Sequence, residues 1–170
     1  MSYTSPDVTI TYQHKDTISV IKLDETERYF VTGARDGGVV FWNINSFGRI
    51  NVQQKIYDFD TEILAAYITY DSYIAAIASL KGKINIYNLV NNKLMRTIFH
   101  PRELPIHKVG LSLYPFGSVA FFSEVDKHLY VFTINGQIIW KKEVACSKIL
   151  DMVIANDNNF LDVLVSVPYF

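Results

Sequence analysis

Few residues in this chain have types and spacings that could do chemistry, and they are scattered. Histidines stand at positions 14, 100, 107 and 128, and the single cysteine is Cys146. A tetrahedral metal site draws Cys and His at short, regular spacings, and none of these residues forms such a pair. A nucleophile needs a base beside it; near Cys146 there is only Lys148, and no Gly-x-Ser-x-Gly elbow occurs. Arg35-Asp-Gly-Gly38 has the glycines of a phosphate cradle but neither the following helix nor the Lys-Ser/Thr of a P-loop, so it reads as a β-turn. Asp24-Glu25, Glu27-Arg28 and Asp157-Asn-Asn159 read as solvated loops, and His100 as part of the turn before Pro101. The expectation is a non-enzymatic protein with no catalytic residue, no metal site and no cofactor.

Composition narrows the partner class. With 16 Lys+Arg against 17 Asp+Glu, the 170-residue chain carries a formal charge of -1, without the basic surplus that draws a domain onto phosphate backbones or anionic membranes. Hydrophobic content of 49% with 14% aromatic excludes disorder. A lone Cys cannot close an internal disulfide and is expected to pack as a small hydrophobe. The start, MSYTSPDVTI, lacks a signal-peptide pattern, and no run approaches the roughly 20 apolar residues of a membrane span. These features suggest a cytoplasmic protein, held at endomembranes, if at all, through partners.

The elements that must position these residues are short strands. Apolar residues alternate with a period near two in runs separated by Asp, Asn, Gly and Pro. The runs are 8–12, 18–23, 29–34, 39–43, 53–57, 64–69, 73–78, 83–88, 95–99, 108–113, 118–122, 129–133, 138–142, 149–155 and 160–167. No sustained helical stripe interrupts them, so the fold is expected to be all-β. Residues 29–43 align with 74–88, superposing Gly37 on Gly82, and a bulky ring recurs at Trp42, Tyr87 and Phe132 at a constant interval of 45 residues. Four strands in about 45 residues is the signature of a propeller blade.

The first repeat resembles the WD-repeat family, on Gln13-His14, Thr32, Asp36-Gly37 and Trp42-Asn43. That resemblance implies a hydrogen-bonded tetrad in which His14 meets Asp36, and Thr32 links to the Trp42 indole. The second repeat has Ile77, Lys81 and Tyr87 at the last three positions, and the third keeps only Phe132 and the turn Asp126-Lys127. Those two blades are therefore expected to rely on packing alone. The implied layout is blade 1 over 14–57, blade 2 over 59–99, blade 3 over 104–142 and the start of a fourth over 147–170. Residues 8–12 read as an outer strand of a blade not encoded. About three and a half blades fall short of the roughly four to eight that close a ring. The expectation is an incomplete WD-repeat propeller: a fragment, a truncated product, or half of an assembly that pairs with itself through bare blade faces.

A narrower resemblance is to the C-terminal WD-repeat region of BEACH-domain proteins, the beige, lysosomal-trafficking-regulator and neurobeachin group. It rests on His14-Lys-Asp-Thr-Ile-Ser-Val, Val31-Thr-Gly-Ala-Arg-Asp36, Gly82-Lys-Ile-Asn-Ile-Tyr-Asn-Leu, Arg96-Thr-Ile-Phe-His-Pro101 and Leu129-Tyr-Val-Phe-Thr-Ile-Asn-Gly136, covering most of 14–142. The resemblance implies an interaction scaffold in vesicle trafficking or vacuolar and lysosomal sorting, whose partners are proteins, among them a BEACH module. A WD-repeat segment of another trafficking protein, such as the regulatory subunit of the vacuolar-sorting lipid kinase, is the alternative. A hydrolase built on a propeller would need a convergent acid, base and nucleophile, which the sequence lacks. In WD-repeat propellers the loops before each first strand and between second and third strands share one face. That face gathers Lys15, Arg35, Asp60, Lys81 and Arg102 as partner-contact candidates, with Arg35 and Arg102 preferred because Arg is enriched at hot spots.

Overall fold

The computed structural model describes residues 13–113, 117–145, 148–157 and 160–166. The expected strand at 8–12 and Cys146 lie outside them. Strands β1 (Ile18–Leu23), β2 (Tyr29–Ala34), β3 (Val39–Ile44) and β4 (Ile50–Ile56) form one antiparallel sheet in sequential order. A second sheet holds β5 (Ile63–Ile68), β6 (Ile74–Ser79), β7 (Lys83–Asn88) and β8 (Lys93–Phe99). The third holds β9 (Lys108–Ser112), β10 (Ser118–Ser123), β11 (His128–Thr133) and β12 (Ile138–Glu143), and β13 (Asp151–Asp157) pairs with β14 (Phe160–Ser166). First strands adjoin in series, β1 to β5 to β9 to β13. The described residues form an unclosed β-propeller of three four-stranded blades and a two-stranded sheet. Among the described residues there is no helix, hence none long and apolar enough to cross a membrane.

Alternation explains the stacking. In β6 every residue is buried: Ala75 and Ile77 enter the core shared with blade 1, while Ile74, Ala76 and Ala78 enter the core shared with blade 3. A middle strand covered on both faces therefore reads as a nearly continuous apolar run, and its alanines leave room for the neighbouring sheets. A third core, with Phe122, Val131, Ile149 and Met152, joins blade 3 to β13. At Gly33 an added Cβ would lie 2.5 Å from Ile63 Cγ2, so a bare backbone is needed where blade 2 presses on blade 1.

Each repeat aromatic sits at a register shift. The ladder slips between Phe41 and Trp42, between Ile86 and Tyr87, and between Val131 and Phe132, leaving Gln53, Met95 and Ile139 as the extra residues on the outer strands. Such a bulge re-aims side chains and inverts the alternation along its strand. This corrects two strand starts: β4 begins at Ile50 rather than Gln53, and β8 at Lys93 rather than Met95. Both expected starts fall on the bulged residue, where the inner–outer pattern changes phase.

Candidate interaction face

The connections entering each blade and the turns between second and third strands meet at one end of the blades. In blade 1 the turn Arg35 to Gly38 is closed by Asp36, whose Oδ1 accepts the Gly38 N–H at 2.8 Å. Asp36 Oδ2 accepts the Lys15 N–H at 3.0 Å, and the Arg35 N–H bonds the Thr17 carbonyl. Gly37 has φ of 77°, and a Cβ there would lie 2.3 Å from the Phe59 carbonyl oxygen, so the connection into blade 2 seats on the turn only because the residue is glycine.

Below this turn, Thr32 Oγ1 lies 2.6 Å from His14 Nε2 and accepts the Trp42 indole N–H at 3.0 Å. Burial holds the His14 ring below its ordinary pKa, against the Asp36 carboxylate that favours the charged form. Trp42 also stacks on Phe30, centroids 5.4 Å apart and planes 4° from parallel. The expected direct bond from His14 to Asp36 is not what forms. The carboxylate reaches the backbone of the next residue instead, and among the described residues His14 Nδ1 is buried without a hydrogen-bond partner.

Blades 2 and 3 do not rely on packing alone, which corrects the expectation from their missing tetrad residues. In blade 2 the Tyr87 hydroxyl donates to Asp58 Oδ2 at 3.1 Å and accepts from Asn85 Nδ2 at 2.8 Å. Asn85 Oδ1 in turn accepts from Thr97 at 2.8 Å. Burial raises the Tyr87 pKa, so the phenol stays a donor. In blade 3 the hub is Asp126, its side chain 4% exposed. It accepts from Tyr130 Oη at 2.7 Å, Arg102 Nη2 at 2.5 Å and the His128 N–H at 3.2 Å. His100 Nε2 faces the same carboxylate at 3.5 Å. Burial pushes the Asp126 carboxyl up, but the bonds from Tyr130 and Arg102 outweigh it and hold the group below its ordinary value. Phe132, which has no donor, packs on Phe121 at 5.3 Å.

The partner-contact candidates gather on this face already engaged. Lys15 Nζ lies over the Tyr57 ring at 5.8 Å, Arg35 pairs with Glu62 at 3.4 Å, and Lys81 pairs with Asp60 at 2.7 Å. The last two are exposed pairs, each worth little and readily exchanged for a partner's charge. Arg102 differs. Although 59% exposed, it is tied to the buried Asp126, and drawing it away would strip a buried carboxylate of a donor. Of the preferred pair, Arg35 is the one free to exchange.

Reading only charged residues missed Leu80 and Val125, both exposed on this face. Each stands at the 45-residue equivalent of Arg35, so the repeat itself marks them. Their types are apolar where the first blade has a cation. Along the blade axis, β1, β5, β9 and β13 line a cavity of about 170 Å³. Among the described residues no group of three or more His, Cys, Asp or Glu could hold a metal.

No family model matches the chain.

Proposed function

We propose that this chain is a non-catalytic protein-interaction scaffold similar to the WD-repeat region of BEACH proteins, acting in vesicle trafficking or vacuolar and lysosomal sorting. The observation that carries the reading is the face just described. Exposed Leu80 and Val125 stand there beside ion pairs that a partner can exchange, and the turns beneath are braced by internal networks. A rigid platform with apolar contacts and a polar rim is what a protein partner needs. The BEACH assignment rests on the sequence motifs, and places the chain in the cytoplasm with proteins as its ligands.

The test is binding of the purified, folded chain to a BEACH module and to trafficking factors, by calorimetry. Micromolar or tighter binding that weakens roughly tenfold on Leu80→Asp or Val125→Asp supports the reading. Failure of a chain shown to be folded to bind any of them removes the BEACH assignment. Binding that ignores both substitutions moves the contact to another face.

A further inference from the structure

We propose that His100 is a pH-sensitive latch: its neutral ring holds the connection of residues 100–107 onto blade 3, and a second ring proton releases it. The proposal is independent of what the platform binds, since it concerns how one edge of the face is held.

His100 closes blade 2, yet its side chain is 0% exposed because it is inserted into the next blade. The ring meets Tyr130 edge-on with centroids 4.8 Å apart and lies 5.7 Å from Phe121. Its backbone is fixed on both sides: the N–H donates to the Gly82 carbonyl at 2.8 Å and the carbonyl accepts from Glu103 at 2.9 Å. There is no slack around it. A Cβ added at Gly82 would lie 2.6 Å from the Leu104 carbonyl oxygen and 3.0 Å from His100 Cβ.

Ring chemistry does the rest. Nδ1 accepts the Arg102 backbone N–H at 3.1 Å, so it carries a lone pair and the ring proton sits on Nε2, toward Asp126. A second proton can only be added at Nδ1, where it would point at another donor. Protonation must therefore break the bond that folds residues 100–102 back on themselves. Asp126 is the charge that could hold the imidazolium, but Arg102 and Tyr130 already donate to it. Against the charged ring stand burial, Arg102 and His128, and the adjoining turns bring Lys81 and Lys83 beside Gly82 and Lys127 beside Asp126. The balance lowers the folded pKa below the ordinary 6.5. The unfolded chain thus takes up the proton first. The latch is fully closed above that value and is lost as pH falls through it toward the folded pKa.

The test is nuclear magnetic resonance of the unmodified chain between pH 7.5 and 5. Histidine ring shifts would be followed together with protection of the Arg102 amide against exchange. The expected result is an Nε2–H tautomer at pH 7.5, followed by His100 titration below the ordinary range. Arg102 protection would fall roughly tenfold in step, while the Ala76 amide in the centre of blade 2 holds. An Nδ1–H tautomer, or titration of His100 with Arg102 protection unchanged, overturns the proposal. In His100→Gln the pH dependence at Arg102 should vanish, and its persistence would also overturn the latch. Should that variant not fold, the measurements on the unmodified chain decide alone.

Discussion

Blades 1 and 3 close the same gap, between the entering connection and the third strand, with opposite electrostatics. In blade 1 the buried links are neutral: a hydroxyl joins an imidazole and an indole, while the carboxylate of Asp36 stays at the rim and caps a turn. In blade 3 the carboxylate of Asp126 is itself the buried hub, held by a guanidinium and a phenol. The donor also comes from a different place. Trp42 reaches inward from the ring position, but Phe132 has nothing to donate, and Tyr130, two residues earlier on the same face of β11, takes over. The gap requires satisfied polar groups, and several residue sets meet that requirement. Where a charge is buried, though, its loss should be felt more strongly.

The largest expected effect follows from that asymmetry. Asp126→Ala, which strips Tyr130 and Arg102 of their shared acceptor, should cost about 2–4 kcal/mol, read as a lowered urea midpoint with unchanged slope. A cost under about 1 kcal/mol would erase the distinction between the blades. Thr32→Val removes only the hydroxyl joining His14 to Trp42, and about 1–2 kcal/mol with a shifted Trp fluorescence is expected. For blade 2, Tyr87→Phe should cost about 1 kcal/mol by leaving Asp58 and Asn85 unmatched, whereas a neutral result would return that blade to packing alone. A smaller effect of opposite sign is expected at Lys127, the blade 3 equivalent of Gly37 and Gly82. Its φ of 56° is left-handed, so Lys127→Gly should raise stability by up to about 1 kcal/mol in the same assay. Smallest of all, Lys81→Ala should leave the urea midpoint unmoved, because both members of its pair are largely exposed.

The blade period was legible because Trp42, Tyr87 and Phe132 are large, rare and placed at one structural feature, the third-strand position beside the bulge of the outer strand. The same bulges hid the true starts of β4 and β8, since alternation is the only strand signal a sequence offers and a bulge reverses its phase. Of the polar links, the bond from the Trp42 indole to Thr32 followed from the family pattern, whereas the pairing of His14 with Thr32 rather than Asp36 did not. Those of blades 2 and 3 did not, because Asp58, Asn85, Thr97, His100 and Tyr130 are not the repeat equivalents of the residues they replace. Nothing in their spacing marks them as partners.

Strand content, the repeat and the turn glycines are local properties, set by side-chain alternation and by backbone angles only glycine adopts freely, and the sequence by itself determined them. Which polar groups meet across a blade was decided by tertiary structure alone. The entering connection reaches the third strand through space, and a hydrogen bond depends on a few tenths of an ångström and on direction, which no residue order encodes.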